Sequence, residues 1–265
     1  MPDINGFPVV DDSTGHLNTQ GRGYEPRDYT RFPLNGLKCA RPFSLPIIPA
    51  SEHEGLIRDK TAAKSWASDL CDQAGLTVKN QQNSSYCWIH APTHGMEVNY
   101  VLQGGKVFVL SAFYGGALIK NGRNQGGSGI EGAQWLSEHG TCLESMHPPM
   151  SFSTQNSADT IANAALHKLV TLEEIDSDDH ASIITSIFED SPVTVGIPAW
   201  GHEVLITFLI WQPGANLIPD FPNIVYGFDN SWGTSWGKNG RGTLSRAYSR
   251  FDEAGTIRSV TPATV

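Results

Sequence analysis

Residues 81–88, with the sequence QQNSSYCW, join a polar loop to the segment that decides the fold of this chain. From Cys87 to about Leu102 the apolar residues recur at an approximately helical spacing, and glycines 104 and 105 follow as a stop. Pro92 is tolerated in a helix only within its first turns, so the pattern predicts a helix that begins at Cys87.

Cys87 is predicted to be a reactive thiol because of this position. A helix N-terminus lowers the pKa of a thiol that lies in its dipole field, and the thiolate is the nucleophilic form. Gln81 comes six residues earlier in the loop. Its side-chain amide can turn back toward the Cys87 backbone N–H, where the two groups would stabilise an oxyanion.

Two strand-like segments supply the other groups that a thiol nucleophile needs. His202 opens one apolar run, and Asn230 follows another in the block NSWGTSWG. An imidazole that takes a proton from a thiol needs a third group to fix its tautomer and orientation. The side-chain oxygen of Asn230 can do this, and Trp232 can shield the hydrogen bond from water. Each feature alone is common, but together and in this order they predict one catalytic site.

These motifs resemble those of papain-type cysteine peptidases over roughly residues 75–245. The resemblance implies Cys87 as nucleophile, His202 as general base and acid, Asn230 as the orienting residue, and Gln81 with the Cys87 amide as the oxyanion hole. It implies a polypeptide substrate and an α+β fold of two lobes. The helical lobe would carry the nucleophile helix, and an antiparallel, β-barrel-like lobe would carry the histidine and asparagine. The matching stretches are Val78–Gln81, Cys87–Trp88, Gly126–Gly127, Gly201–His202 and Asn230–Gly237.

The resemblance also proposes substrate-binding residues, namely Gly126, Gly127, Glu203 and Trp232. Glu203 stands where related sequences usually carry a small residue that lines the pocket for the second substrate side chain. It would either favour a basic substrate side chain, which we prefer, or obstruct the pocket. No cofactor and no metal ion are expected.

The sequence departs from the family pattern near the nucleophile. Ser84 and, by our alignment, Asn124 stand where typical members have two bridged cysteines. Ser85 and Tyr86 replace the usual Gly-Ser. Residues 1–55 are too irregular to form a helical inhibitory propeptide, so none is expected.

The chain is predicted to consist of an extended arm (residues 1–55), a mainly helical lobe (56–190) and a β-rich lobe (191–265), with 56–265 forming one catalytic unit. Hydrophobic periodicity and turn residues set the elements. Helices are predicted at Lys60–Gln73, from Cys87 to about Leu102, and at Glu131–His139, Ala158–Leu169 and His180–Phe188. Strands are predicted at Val193–Ile197, His202–Trp211, Ile224–Phe228 and Gly242–Leu244.

Composition excludes several classes of partner. The 265 residues include 18 basic and 27 acidic ones, and the formal net charge of −9 argues against binding to a nucleic acid. The apolar run Val204–Trp211 is too short for a bilayer span, and the N-terminus lacks secretory signal features, so no membrane partner is expected. Four widely spaced cysteines indicate reduced thiols, which favours the cytoplasm or a virion.

This chain resembles shortened members of the family that are encoded by tailed bacteriophages and some bacteria. Those members carry a Trp-Gly-His segment, which is found here within Ala199–His202. Together with the Pro/Gly-rich arm, this likeness suggests a peptidase in a phage tail or baseplate, in contact with neighbouring subunits. One alternative is a catalytically silent or weak papain-fold structural protein of such an assembly. Another is amide hydrolysis on a non-protein target.

Two further patterns carry less weight. Residues 127–132 match G-x-G-x-x-G, but no strand leads into them, which argues against a dinucleotide site. Cys87, His90 and His94 have a spacing that could hold a metal ion on one helix face, but no fourth ligand is evident.

Overall fold

A computed structural model describes residues 3–10 and 21–262 of the chain. Within these ranges, six α-helices follow three short strands, and five of the remaining six strands come after the seventh helix, which is an α+β arrangement. The helices are α1 (His53–Ala63), α2 (Ala67–Ala74), α3 (Cys87–Gly104), α4 (Ala112–Ile119), α5 (Gly129–Glu138), α6 (Ala158–Ala164) and α7 (His180–Phe188). The strands are β1 (Asp3–Ile4), β2 (Phe7–Val10), β3 (Ala40–Pro42), β4 (Leu169–Ile175), β5 (Val193–Ile197), β6 (His202–Trp211), β7 (Ile224–Asp229), β8 (Arg241–Leu244) and β9 (Glu253–Val260).

The strands form one sheet in the order β1-β2-β8-β7-β6-β5-β9-β4-β3. Its central pairs are antiparallel, whereas β2 pairs with β8 and β3 pairs with β4 in parallel. The α+β fold predicted from the sequence is thus confirmed. The β-barrel-like lobe takes the form of an open sheet among the described residues, because β1 and β3 remain at opposite edges.

Helix α3 lies at the centre of the molecule, between the sheet and helices α2, α4 and α5. Most of its residues are buried, which explains why it is apolar on nearly all sides. Pro92 lies in its second turn and has no N–H to offer the carbonyl of Trp88. That carbonyl faces α5, where a Cβ added at Gly132 would lie 3.0 Å from it. The glycine therefore allows close packing at the point where the proline interrupts the helix.

Several predicted elements differ from the observed ones. The single helix predicted over Lys60–Gln73 is two helices, because Lys64 adopts a left-handed conformation with φ of 50° and ends α1. Asp69 then accepts a hydrogen bond from the Trp66 backbone N–H, which starts α2. The helix predicted to reach Leu169 ends at Ala164, and Leu169 instead begins strand β4.

The described part of the N-terminal arm packs on its own chain. Strand β2 extends one side of the sheet and β3 extends the other. Residues 21–27, which we call the N-terminal strap, lie between these two strands in the sequence and cross the region around Cys87 and His202. Residues 11–20, which also belong to the predicted arm, fall outside the described ranges.

Candidate active site

His202 and Asn230 form a buried pair at the ends of neighbouring strands. Nε2 of His202 lies 2.8 Å from Oδ1 of Asn230. The backbone N–H of Ser231 donates to the same Oδ1 at 2.8 Å, which identifies that atom as the amide oxygen. Because this oxygen only accepts, Nε2 of His202 carries the hydrogen. A neutral His202 therefore keeps a lone pair on Nδ1, the atom that can take a proton.

Two tryptophans hold the His202 ring in place. The Trp232 ring centroid lies 4.7 Å from that of His202, and the Trp200 centroid lies 4.6 Å away in an edge-on arrangement. Both indoles are buried. The shielding predicted for Trp232 fits this geometry, whereas the part played by Trp200 was not predicted from the sequence. Its only signal was its place two residues before the histidine.

Cys87 is the first residue of α3, as the spacing predicts, and its side chain has 0% exposure. Backbone N–H groups of Gly23, Glu203 and Trp88 lie near its sulfur and favour the thiolate. Burial nevertheless raises the pKa of the Cys87 thiol to about 12. The lowering that we expected from the helix N-terminus is outweighed in this covered state, because burial disfavours a thiolate.

The imidazole of His202 is also neutral in this arrangement. Burial lowers the pKa of His202 to about 4, against the hydrogen bond with Asn230, which raises it. Among the described residues Nδ1 has no hydrogen-bond partner, so no hydrogen bond joins it to the Cys87 sulfur. The thiol and the imidazole are therefore present as an uncharged pair.

Gln81 is fixed by contacts to three different segments. Its Nε2 donates to the carbonyl of Ser84 at 2.7 Å and to the carbonyl of Gly21 at 3.0 Å. Its Oε1 accepts a hydrogen bond from the Ser231 hydroxyl. The amide N–H₂ thus points at a carbonyl oxygen of the strap, in the manner required of an oxyanion donor.

The strap is held in the cleft by backbone hydrogen bonds. Gly127 donates its N–H to the Gly23 carbonyl and accepts from the Glu25 N–H, both at 2.9 Å. Tyr24 N–H donates to the Gly201 carbonyl at 3.1 Å. The indole N–H of Trp232 donates to the Gly21 carbonyl at 3.0 Å. Residues from both sides of the site therefore hold the strap.

Glycines make this close approach possible. A Cβ added at Gly21 would lie 2.1 Å from the Ser84 carbonyl oxygen, and one at Gly23 would lie 2.2 Å from that of Ser85. On the opposite side, a Cβ at Gly126 would lie 2.4 Å from the Gly23 carbonyl oxygen. The space between the walls of the cleft thus fits a backbone without side chains at these positions.

The side chain of Tyr24 fills a pocket beside the strap. Its ring lies against Gly196, where a Cβ would come within 2.1 Å of the ring, and its hydroxyl donates to Asp252. Glu203 and Glu253 are buried close by and contribute to a raised pKa of Tyr24, mainly caused by burial. The tyrosine therefore enters an acidic, largely enclosed pocket.

Solved structures of cysteine proteases show the same architecture. Procathepsin L 3 from the larval midgut of Tenebrio molitor matches with a TM-score of 0.63 and 16% identity, over 94% of this chain and 82% of that one. Xylellain, a cysteine protease from Xylella fastidiosa, matches with a TM-score of 0.56 and 13% identity, over 98% of both chains. The chain has the papain-like fold.

A third structure, the proform of Amb a 11, a cysteine protease and major ragweed pollen allergen, matches with a TM-score of 0.52 and 17% identity. The match covers 69% of this chain and 63% of that one. Neither a protein-family model nor the sequence of a curated protein matches the chain significantly. The likeness of the papain-like fold is thus one of structure at low sequence identity.

In this papain-like fold, a hydrogen bond links the two segments that typical members join by a disulfide. The Ser85 backbone N–H donates to Oδ1 of Asn124 at 2.6 Å. Cys39, Cys71, Cys87 and Cys142 are all free and buried. The loop before the nucleophile is therefore anchored by an asparagine side chain.

Glu203 extends away from the His202–Asn230 pair, as strand alternation predicts. Its carboxylate packs against Gly129, and neither oxygen has a hydrogen-bond partner among the described residues. Burial, together with Glu253 and Asp252 nearby, raises the pKa of Glu203 well above its ordinary value. The side chain is part of the pocket that Tyr24 enters.

The two histidines of the hypothetical metal site have other partners. His90 Nδ1 lies 2.8 Å from the Tyr86 carbonyl, and both ring nitrogens of His94 face carboxylates. Within the described ranges no cluster of three potential ligands is placed to bind a metal ion. In the same ranges, no helix combines the length and apolar character needed to cross a bilayer.

Proposed function

We propose that this chain is a cysteine peptidase that hydrolyses peptide bonds through an acyl-enzyme on Cys87. The observation that supports the proposal is the placement of four side chains from distant segments. Cys87 begins the central helix, His202 and Asn230 pair at 2.8 Å on adjacent strands, and Gln81 aims its amide at a carbonyl oxygen. These are the parts that thiol-based acyl transfer needs.

In the proposed reaction, the Cys87 sulfur attacks the carbonyl carbon of the scissile peptide bond, and His202 Nδ1 takes the thiol proton. Gln81 and the Cys87 backbone N–H stabilise the oxyanion of the tetrahedral intermediate. When that intermediate collapses, the C–N bond breaks and the amine leaves with the proton from His202. Water, deprotonated by His202, then hydrolyses the thioester and restores the thiol.

The covered site supports a latent form of the enzyme. The strap places the Gly23 N–H near the Cys87 sulfur, and its Gly21 carbonyl accepts a hydrogen bond from the Gln81 amide. It also raises the burial of Cys87, which keeps the thiol protonated. We infer that the strap must leave the cleft before a substrate can bind. The strap is not helical, so it differs from the helical propeptide considered in the sequence analysis.

The strap also indicates how a substrate would bind. Gly127 offers one backbone donor and one acceptor, both used by the strap, and Gly126 keeps that wall narrow. Trp232 donates from the other side of the cleft. We propose that a substrate backbone uses these same groups and that one substrate side chain replaces Tyr24 in the pocket of Glu203. An ionised Glu203 would then favour a basic side chain there.

The test is a comparison of Cys87 reactivity with the strap in place and displaced. In the Gly23→Leu variant the new side chain would collide with the Ser85 carbonyl, so the strap cannot sit in the cleft. Gly55→Ala, where an added Cβ meets nothing within 4 Å, is the matched control. Iodoacetamide labelling near neutral pH, followed by mass spectrometry, reports which cysteine reacts.

We expect Cys87 to react faster than Cys39, Cys71 and Cys142 in Gly23→Leu, and that variant to cleave an unfolded protein substrate. Adding Cys87→Ala should abolish cleavage. If Cys87 remains no more reactive than the other thiols once the strap is displaced, the peptidase assignment fails. The alternative of a catalytically silent structural protein would then be favoured. If Cys87 reacts but only non-protein amides are cleaved, the reaction class stands and the substrate class changes.

The setting of the enzyme is a separate part of the proposal and rests on sequence likeness. We propose a component of a phage tail or baseplate, in the cytoplasm or the virion, with neighbouring subunits as partners. Its detection in purified particles, at a fixed ratio to a tail protein, would support this setting. A protein that stays monomeric and absent from particles would contradict it.

A further inference from the structure

A chain of buried charges runs beneath the proposed catalytic residues. It joins the loop before Gln81, helix α3, strands β7 and β8, and helix α2. Successive members lie within 3.1 Å of one another and alternate in sign when His94 is protonated: Lys79, Glu97, His94, Asp229, Arg241 and Asp72. All but Asp72 are buried. With a charged His94 these six residues carry three positive and three negative charges, and the partly exposed Glu144, 3.7 Å from Lys79, adds a further carboxylate at the outer end.

The hydrogen bonds around His94 require its charged form. Nδ1 lies 2.9 Å from Oε2 of Glu97, and Nε2 lies 3.1 Å from Oδ2 of Asp229. The other oxygen of Glu97 accepts from Lys79 at 2.8 Å, and that of Asp229 accepts from Arg241 at 2.7 Å. Both carboxyl groups are therefore ionised acceptors. A neutral imidazole would turn a lone pair toward one of them, whereas an imidazolium donates to both.

The interaction of His94 with Glu97 and Asp229, which we call the His94 bridge, is directly connected to the proposed catalytic groups. Asp229 is the residue before Asn230, which orients His202. His94 lies on α3, two turns after Cys87. The His94 bridge thus connects helix α3, which begins with the proposed nucleophile, to strand β7, which the proposed orienting residue follows.

We propose that His94 is a positioning residue for the reaction assigned above: its imidazolium, held between Glu97 and Asp229, fixes Asn230 and through it the His202 ring. The inference rests on the proposed function for its effect on catalysis. It goes beyond the four catalytic residues because His94 touches neither the sulfur nor the proposed base. Its contribution is to hold α3 and β7 in one relative position.

Other groups face His94 and set its protonation. Although burial alone would lower the pKa of His94, the hydrogen bonds to Asp229 and Glu97 hold that pKa above its ordinary value. The remaining ionisable groups around this position are contributed by the loop, α3, β6 and β8: Lys79, His90, Glu203 and Arg241. Of these, the two cations are already paired with Glu97 and Asp229.

The first test uses the unmodified full chain. Nuclear magnetic resonance of protein labelled with ¹⁵N-histidine reports the protonation of each ring nitrogen. We expect His94 to carry protons on both nitrogens at pH 7. As the pH rises and His94 loses one proton, the ring signals of His202 should shift at the same midpoint. A neutral His94 at pH 7, or His202 signals that do not change as His94 loses its proton, would overturn the inference.

The second test uses variants in the strap-displaced Gly23→Leu background. His94→Gln keeps hydrogen-bonding capacity but removes the charge, and we expect the alkylation rate of Cys87 to fall at least about tenfold. Glu54→Gln is the matched control, since it removes one charge from an exposed ion pair with Arg58 on α1, outside the chain of charges. The rate should change less than about twofold in this control.

Restoring the balance of charges should restore reactivity in part. In His94→Gln/Asp229→Asn, the cation and one facing anion are removed together, so we expect a several-fold recovery over His94→Gln alone. If Cys87 reacts in the background variant but His94→Gln leaves its rate and the His202 signals unchanged, positioning by His94 is wrong and the peptidase stands. If Cys87 is inert in the background variant, the peptidase assignment fails, and the His202 signals still decide the positioning role.

Discussion

The Nε2 atom of Gln81 donates a hydrogen bond of 3.0 Å to the carbonyl oxygen of Gly21. Gly21 lies 60 residues earlier in the chain, in a segment without regular secondary structure. The contact places a peptide carbonyl of the protein itself against the proposed oxyanion donor. The N–H of Gly23, two residues further on, lies near the sulfur of Cys87. We therefore propose that the strap is bound as an inhibitor, with an N–H group rather than a scissile carbonyl directed at the thiol.

Shortening Tyr24 should loosen the strap in two steps. Tyr24→Phe removes only the hydroxyl that donates to Asp252. We expect the free energy that holds the strap in the cleft to fall by about 1–2 kcal/mol. Tyr24→Ala also empties the pocket against Gly196, and we expect the same free energy to fall by about 3–5 kcal/mol. The alkylation rate of Cys87 should rise in the order wild type, Tyr24→Phe, Tyr24→Ala. Equal rates in all three proteins would show that this side chain does not hold the strap.

Removing the orienting residue should impair the enzyme less than removing the nucleophile. In the Gly23→Leu background, Cys87→Ala leaves no atom to form the thioester and should abolish peptide cleavage. Asn230→Ala leaves the thiol and the imidazole but frees the ring, so we expect a loss in kcat of roughly 10²-fold. Steady-state cleavage of a fluorogenic peptide separates the two. An Asn230→Ala variant as inactive as Cys87→Ala would assign the asparagine a larger role.

The catalytic side chains could be proposed from the sequence because each lies in a short motif with its own local logic. A cysteine at the start of an apolar helix, or an asparagine at the end of a strand, can be recognised as a candidate catalytic residue from its neighbours in the sequence alone. Helix α3 and strands β5 to β8 were also found at nearly their observed positions, since their patterns are strong.

Features that depend on packing between distant segments were not found. The role of Gly21 and Gly23 arises from the backbone of residues 84–85 opposite them, which no local pattern reveals. Strand β4 was not predicted, and its first residue, Leu169, was assigned to the end of a helix, because the apolar residues there do not distinguish the two structures until β9 pairs with the strand. The charge of His94 likewise depends on Asp229, a residue 135 positions away.

Asn124 should stabilise the loop before the nucleophile. Asn124→Ala leaves the exposed Ser85 N–H without its 2.6 Å acceptor, and we expect the free energy of unfolding in urea to fall by about 0.5–1.5 kcal/mol. Asn156→Ala is a suitable control, because the Asn156 side chain donates a long hydrogen bond of 3.4 Å to a carbonyl of its own loop. A loss no greater than that of the control would show that the hydrogen bond does not replace the missing disulfide.

The acidic pocket around Tyr24 should make the protein less stable as the pH rises. Burial raises the pKa of Glu253 to about 7, against the hydrogen bonds donated by the Gly129 and Ile130 backbone N–H groups, and it raises that of Glu203 well above its ordinary value. Both carboxyl groups bind their protons more tightly in the folded chain than in the unfolded one. Their stabilising effect is therefore complete below about pH 4.5, the unfolded range.

From about pH 4.5 upward the unfolded chain releases these protons first, so the free energy of unfolding falls by up to about 1.4 kcal/mol per pH unit for each group. For Glu253 this loss ends near pH 7, and for Glu203 it continues to higher pH. Glu203→Gln keeps the shape but cannot ionise, and should be more stable than the wild type at pH 8 and nearly equal to it at pH 4. Urea unfolding across this range, with the exposed Glu138→Gln as control, measures the difference. A stability gap between wild type and Glu203→Gln that does not widen with pH would mean that Glu203 is already ionised in the folded protein, as a pocket selective for basic side chains requires.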